Sequence, residues 1–303
     1  MSTLSNLSAA RTPRELVEWG AKRFEEAELC FGHGTDNAQD EALLLVLHAL
    51  GLDWGGSDDQ FDRPLGHSEK QRVLALLNDR LSSRKPAAYL THCARFAGLL
   101  FYVDERVLVP RSPIAELIEE RFAPWVSAED VHRVLDVGTG SGCIAIACAL
   151  AFPKARVDAV DISLDALEVA KTNIEKHGVN QRVSVIHSDL FDALSEDRYD
   201  LIVCNPPYVE SETLARLPEE YQCEPVVGLD GGEDGLEIVD RMLTQSTKHL
   251  NSGGVLVCEV GEGHAALACR YPNVPFLWLE FQRGGEGVCL LTAERVLAHF
   301  NKR

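Results

Sequence analysis

The hydrophobic residues in the first part of the chain follow helical spacing. Residues 12–15 combine a capping hydroxyl, a first-turn proline and a third-position glutamate, the order of a capping box, which predicts a helix start. Residues 40–50, which end before Gly51, and residues 68–84, opened by a second capping box at Ser68, carry apolar side chains three and four positions apart. We expect a helical N-terminal domain over residues 1–92, either a solubilising appendage or a module that selects the substrate.

The pattern changes to alternation after this domain. Apolar residues alternate through residues 96–103 and return at residues 107–109, with Asp104 and Glu105 between them as turn residues. This predicts a β-hairpin linker over residues 93–110. Ser112 and Pro113 follow in the order of an N-cap and a first helical residue, so another helix is expected to begin there.

Strand and helix signals alternate through the rest of the chain, residues 111–303. Helical stretches such as residues 143–151 separate most of the strands, which predicts a doubly wound α/β sheet with a largely parallel core. A last strand at residues 285–292 is expected to pair with residues 276–281. The other predicted strands are residues 131–137, 156–162, 183–186, 199–204 and 254–260.

The composition is that of an ordinary soluble globular protein, with 46% hydrophobic and 25% charged residues among 303. The longest apolar stretches are about half of the roughly 20 residues that a membrane-spanning helix needs, and the N-terminus lacks the apolar core of a secretory signal. We therefore expect a cytoplasmic protein with no membrane partner. Since 29 basic residues face 47 acidic ones, the net charge of −18 favours a basic partner and disfavours nucleic acid.

The cysteines and histidines show no metal-binding spacing. The nine cysteines are scattered, and several fall in apolar runs where a reduced thiol behaves as a small hydrophobic group. The ten histidines form no His-Glu-x-x-His pattern. We expect no metal cofactor.

A glycine-rich loop joins the strand at residues 131–137 to the helix that follows. Glycines allow a tight turn and a close approach of the backbone to a ligand, while free amides at the helix start offer donors. The Gly-x-Gly-x-Gly spacing differs from the dinucleotide and phosphate-loop patterns, which favours a zwitterionic ligand over a phosphate. Asp136 precedes the loop and is a candidate for the ammonium group of a bound amino acid. The loop residues expected to bind the cofactor are Gly138, Thr139, Gly140, Ser141 and Gly142.

Two more acids follow strands at the same edge of the predicted sheet. Asp161 ends the second strand, where a carboxylate typically accepts hydrogen bonds from both ribose hydroxyls. Asp189 follows the third strand, at the edge where open α/β sheets bind ligands. With the glycine loop, these acids resemble the S-adenosylmethionine (SAM) pocket of Rossmann-like, class I methyltransferases. The resemblance implies that Asp189 meets the adenine and that Leu190 packs nearby.

The fourth strand runs directly into Asn205, Pro206, Pro207 and Tyr208, the predicted catalytic residues. The prolines fix the backbone, so that the Asn205 side chain and the Pro206 carbonyl point beyond the strand end, with Asn205 also bordering the cofactor. A planar amino group is a poor nucleophile because its lone pair is delocalised into the carbonyl or ring. Two acceptors can hold its N–H groups and turn the lone pair toward the methyl sulfonium, while the Tyr208 ring stacks on the planar group.

Two substrate classes carry such a nitrogen, the amino bases of nucleic acid and the side-chain amide of glutamine, and the tetrapeptide leaves both open. From about Ser68 onward, the layout resembles the protein-(glutamine-N5) methyltransferases. The motifs that carry the resemblance are Pro110 with Arg111, the glycine loop, Asn-Pro-Pro-Tyr, Glu224 with Pro225, and residues 231–236.

The hinge at residues 110–114 distinguishes two branches of that family. Release-factor enzymes usually read Pro-Arg-x-Glu-Thr, whereas this chain reads Pro-Arg-Ser-Pro-Ile. With residues 101–106 and 278–285, this hinge is similar to the branch that methylates a glutamine of large-subunit ribosomal protein L3.

The resemblance implies a SAM-dependent enzyme that methylates the side-chain amide nitrogen (N5) of a glutamine in L3. A basic ribosomal protein is then the expected partner of this acidic chain, with nucleic acid involved only indirectly if ribosomal precursors are the substrate. The alternatives are methylation of a glutamine in a peptide-chain release factor, and methylation of an exocyclic amino group in DNA or RNA.

Overall fold

The structure, a computed structural model, describes residues 11–53, 55 and 57–301. The chain divides into two compact units. One comprises Met1–Cys93 with Pro218–Cys223, and the other comprises Ala94–Leu217 with Glu224–Arg303. The predicted division differs from this one, because the hairpin predicted as a separate linker over residues 93–110 belongs to the second unit from Ala94 onward, and residues 218–223 cluster with the helical unit.

The helical unit begins where the sequence predicts. Thr12 accepts a hydrogen bond from the backbone N–H of Glu15, whose carboxylate accepts from the backbone N–H of Thr12, which confirms the first capping box. Gly51 ends the next helix with φ of +64°. The predicted box at Ser68 is wrong, because the Glu69 carboxylate accepts instead from the backbone N–H of Gly66. The helices of this unit are Pro13–Glu26, Ala38–Leu50, Asp59–Asp62, His67–Ser83, Ala87–Thr91 and Glu219–Gln222.

A buried group of charges lies inside the helical unit. The Arg80 Nε donates to Glu41 Oε1 at 2.5 Å, and Arg80 Nη1 lies 3.5 Å from Glu220 Oε1, with all three side chains at most 1% exposed. Glu220 also accepts from the backbone N–H of Cys30 at 3.1 Å. A buried charge is costly without its partners, so these contacts explain why residues 218–223 belong to this unit.

A two-stranded antiparallel hairpin opens the second unit, but the expectation that Asp104 and Glu105 form its turn is wrong. The turn lies at Ala97 and Gly98, whose φ angles of +45° and +73° suit a tight two-residue connection. The Asp104 carboxylate accepts instead from the backbone N–H and the guanidinium of Arg106. The strands are β1 (Ala94–Phe96) and β2 (Leu99–Phe101).

A seven-stranded sheet forms the centre of the second unit. Its strands are β3 (Arg133–Val137), β4 (Arg156–Asp161), β5 (Val183–His187), β6 (Tyr199–Cys204), β7 (Leu250–Glu259), β8 (Leu277–Trp278) and β9 (Val288–Thr292). They lie in the order β5, β4, β3, β6, β7, β9, β8. Strands β3 to β7 pair in parallel, while β9 is antiparallel to β7 and β8. This confirms the doubly wound α/β sheet, with its switch point at the carboxyl ends of β3 and β6.

Helices cover both faces of this sheet. Cys143–Ala151 is apolar throughout and packs into one core with the hairpin and helix Ile114–Glu119. Glu237–Ser246 and Ala293–Phe300 pack into the core on the other face. The helix after the hinge begins at Ile114, one residue later than predicted. The remaining helices are Leu164–Lys176, Ser211–Leu214 and His264–Arg270, with 3₁₀ turns at Val226–Gly228 and Gly261–Gly263.

Candidate active site

The glycine loop is held tightly between β3 and β4. The backbone N–H groups of Gly138 and Thr139 both donate to the Val160 carbonyl at 2.9 Å. Gly142 has φ of +81°, and a Cβ there would lie 3.2 Å from the Cβ of Ala170. Both the backbone conformation and the close helix therefore require glycine at this position.

A cavity of about 470 Å³ opens at the carboxyl ends of β3, β4 and β6. Its position is the one that a doubly wound sheet offers to a ligand. Nine of the predicted site residues line it, namely Gly138, Thr139, Gly140, Ser141, Asp161, Asp189, Leu190, Asn205 and Pro207. The other predicted residues, Asp136, Gly142, Pro206 and Tyr208, are not part of the lining.

Asp161 forms the wall of the cavity at the end of β4. One of its oxygens accepts from the backbone N–H of Gly140 and the other from that of Ser163, each at 2.8 Å. Burial raises the pKa of this carboxyl group, while the two backbone N–H groups act in the opposite direction. Each carboxylate oxygen has a further lone pair, so Asp161 can still accept from a ligand hydroxyl.

Asp189 carries an ion pair that the sequence did not reveal. The Arg241 Nη2 donates to its Oδ2 at 2.8 Å, and both residues line the cavity. Leu190 beside it has φ of +48°, an unusual backbone angle for a residue with a side chain. The second oxygen of Asp189 can accept from a ligand amino group.

Asn205 follows β6 directly and lines the cavity together with Pro207. Its Oδ1 atom is buried and has no hydrogen-bond partner among the described residues. Tyr208 lies behind this edge, where its hydroxyl donates to Glu259 Oε1 at 2.9 Å. The predicted orientation of the Asn205 oxygen toward a substrate amide is compatible with this arrangement and stays a prediction.

Asp136 is fully buried beneath the glycine loop. One of its oxygens accepts from the Thr139 hydroxyl at 2.6 Å and the backbone N–H of Ala145 at 3.0 Å. The other has no hydrogen-bond partner among the residues that the structure describes. Burial raises the pKa of Asp136 from 3.8 to about 7. The carboxyl group thus lies behind Thr139, and its predicted contact with a ligand ammonium stays a prediction.

We expect Asp136→Asn to flatten the dependence of folding stability on pH between about pH 4 and about pH 7. The folded chain retains the Asp136 proton up to about pH 7, whereas the unfolded chain releases it near the ordinary value of 3.8. The stability from this group is complete below about pH 4 and is lost as the pH rises to about 7, by up to about 1.4 kcal/mol per pH unit. Denaturant unfolding of both proteins across this range measures the effect. If the free energies of unfolding of the two proteins differ by the same amount at every pH in this range, the prediction is wrong.

Sequence reasoning missed several partners around the cavity. Arg111 forms two hydrogen bonds of 2.7 Å with the two carboxylate oxygens of Glu224. From the sequence, both residues are named only as part of the family resemblance, and their pairing is not predicted. Glu259 could have been found, since it ends a buried strand as Asp161 does. The pairing of Arg241 with Asp189 has no local signal, because the two residues lie far apart in the chain.

The described part of the chain contains no cluster of three or more histidine, cysteine or acidic side chains that could hold a metal ion. In that same part, no helix combines the length and the apolar character required to cross a membrane.

Known proteins match this chain over nearly its full length. The family described as "Methyltransferase small domain" matches residues 120–217, and the family described as "PrmC N-terminal domain" matches residues 15–91. A ribosomal protein uL3 glutamine methyltransferase of Neisseria gonorrhoeae is 49% identical over 287 residues, which cover 94% of this chain and 96% of the relative. A relative of the same name from Neisseria meningitidis serogroup B is 48% identical over 94% of each chain.

Proposed function

The chain belongs to the family of ribosomal protein uL3 glutamine methyltransferases, and on this premise we propose that it methylates the side-chain amide nitrogen of a glutamine in uL3. The observation that carries the proposal is the buried Asn205 Oδ1, which has no partner among the described residues and borders the cavity. An unsatisfied buried acceptor costs about 1–3 kcal/mol. An amide N–H of the substrate would satisfy it.

The residues of the cavity fit SAM as the cofactor. A volume of about 470 Å³ lies within the range of about 300–1,000 Å³ that small-molecule sites occupy. We propose that Asp161 accepts hydrogen bonds from the ribose hydroxyls and that Asp189, with Leu190, meets the adenine. The glycine loop would then face the amino-acid end, with Asp136 beneath it. When bound, SAM supplies a methyl group on a positively charged sulfur.

The chemistry at the edge of the cavity consists of orientation and hydrogen bonding. The Asn205 Oδ1 and the Pro206 carbonyl would accept the two N–H groups of the glutamine amide, and Tyr208 would stack on its plane. These contacts turn the nitrogen lone pair toward the methyl group for an in-line displacement. The product nitrogen can lose its proton late, so we propose that neither a metal nor a strong base takes part.

A basic protein is the partner that fits the charge of this chain. The net charge of −18 favours encounter with a basic ribosomal protein and disfavours encounter with free nucleic acid. We propose that nucleic acid enters only as part of a ribosomal precursor, and that the activity is cytoplasmic.

We assign the selection of the protein substrate to the helical unit. This unit has its own hydrophobic core, and no residue found in the cavity lining belongs to it. Cofactor binding therefore does not account for its presence.

Labelling of a cell extract tests the proposed substrate. The purified protein, incubated with methyl-labelled SAM and an extract from cells that lack this activity, is expected to label one band that corresponds to uL3. Label in a release factor or in nucleic acid, with none in uL3, contradicts the proposal.

A further inference from the structure

A buried carboxylate that the reaction does not use lies next to the predicted catalytic segment. Glu259 ends β7, which pairs in parallel with β6 so that Cys258 lies opposite Cys204, the residue before Asn205. The Glu259 residue is only 5% exposed. Its carboxylate therefore lies at the level of the segment that carries Asn205.

Both oxygens of this carboxylate are taken by hydroxyl groups. Its Oε1 accepts from the Tyr208 hydroxyl at 2.9 Å, and its Oε2 accepts from the Ser112 hydroxyl at 2.5 Å. Ser112 lines the cavity, and its hydroxyl oxygen also accepts from the backbone N–H of Ile114 at 3.2 Å. Glu259 thus connects two segments at the edge of the cavity, the hinge and the end of Asn-Pro-Pro-Tyr.

The backbone that follows Glu259 supports the ring of Tyr208. A Cβ at Gly261 would lie 2.7 Å from a carbon of that ring, so the ring lies directly on the glycine. The Gly261 backbone is in turn covered by Gly287, since a Cβ on Gly287 would lie 1.9 Å from the Gly261 carbonyl oxygen. The ring thus lies against backbone, and its hydroxyl is held by Glu259.

We propose that Glu259 is a positioning residue for methyl transfer, which fixes Tyr208, and through it Asn205 and Pro206, in the orientation that receives the substrate amide. This inference rests on the proposed function. A carboxylate suits the task because it accepts from two hydroxyls at once, whereas an amide offers one oxygen and one donor. Glu259 does not line the cavity, so it acts through Tyr208 and Ser112.

Glu259→Gln tests this role because it retains the size of the side chain and removes one acceptor. We expect the single-turnover rate of uL3 methylation at saturating SAM to fall about tenfold, while the affinity for S-adenosylhomocysteine stays within about twofold. Glu262→Gln, the same change at an exposed position three residues on, should leave both quantities unchanged. A Glu259→Gln rate within about twofold of the parent overturns the inference.

A double-variant cycle separates positioning from general stabilisation. Tyr208→Phe lacks the hydroxyl that Glu259 holds, so adding Glu259→Gln to it should lower the rate little further. If the rate of the double variant is lowered by the product of the two single-variant factors, Glu259 does not act through Tyr208 and the inference is wrong. If Glu259→Gln does not fold, Ser112→Ala and Tyr208→Phe each remove one of the two hydrogen bonds to Glu259. Methylation rates equal to that of the parent in both variants also overturn the inference. Failure of the parent to methylate uL3 rejects the proposed function instead.

Discussion

Asn205→Ala is expected to lower the single-turnover rate of methyl transfer by a factor of about 10² to 10³ while leaving SAM affinity nearly unchanged. This is the scale of losing one preorganised hydrogen bond that acts mainly in the transition state. Among the residues that the structure describes, the buried Asn205 Oδ1 has no hydrogen-bond partner, so its removal breaks no bond to the glycine loop or to Asp161. Rapid-quench measurements with excess enzyme give the rate, and calorimetry with S-adenosylhomocysteine gives the affinity.

Asn205→Asp is the informative companion variant. A carboxylate still accepts a hydrogen bond from the substrate amide, but it brings a negative charge beside a neutral group. We therefore expect it to retain part of the rate, between the alanine variant and the parent. An alanine variant as fast as the parent contradicts the assigned role of Asn205.

Asp161→Ala is expected to weaken S-adenosylhomocysteine binding by about 1.5–3 kcal/mol, or roughly 10- to 150-fold. The proposed ribose contacts are lost, and the backbone N–H groups of Gly140 and Ser163 lose their acceptor. Isothermal titration calorimetry measures the change in affinity directly.

Two further variants separate these effects. Asp165→Ala removes an exposed carboxylate in the same segment and should leave the affinity unchanged. Asp161→Asn retains one acceptor oxygen, so its affinity should fall between those of the parent and the alanine variant. If Asp161→Ala binds as tightly as the parent, Asp161 is a strand-end residue without a ligand role.

Strand β6 and the helix after the glycine loop were predictable because nearly complete burial leaves an almost continuous apolar run. Strand β6 occupies residues Tyr199–Cys204, and the helix after the glycine loop occupies Cys143–Ala151, both as the sequence predicts. Each is bounded by a turn signal, the Asn-Pro-Pro or the glycines, so the ends are marked as clearly as the interior.

The alternation of apolar residues does not determine where strand pairing in the hairpin ends. Its apolar residues continue beyond Phe101, yet pairing ends there because the Asn173 side chain bonds both the N–H and the carbonyl of Tyr102, at 2.7 and 2.9 Å. These backbone groups are thus unavailable to a strand partner. Asn173 is distant in sequence, so the residues around the hairpin carry no sign of this contact.

At the candidate site, too, the sequence predicts the residues that local signals mark and not the contacts they make with distant residues. The types and positions of Asp161, Asp189 and Asn205 follow from where strands end, which the sequence marks. The partners at the site do not follow in this way, because Arg241, which pairs with Asp189, and Glu259, which pairs with Tyr208, come from other elements. The burial of Asp136 behind Thr139 likewise depends on how the loop packs.

Tandem mass spectrometry of uL3 decides whether this chain methylates a glutamine of that protein. Purified unmethylated uL3, a release factor and an oligonucleotide are offered together to the enzyme with isotopically labelled SAM, and each is then digested and sequenced. We predict one added methyl group on the side-chain nitrogen of a glutamine in a uL3 peptide. This group should be absent when the Asn205→Ala variant is incubated for the same short time in place of the parent. Methyl groups on adenine or on the release factor, with uL3 unmodified, would contradict this prediction.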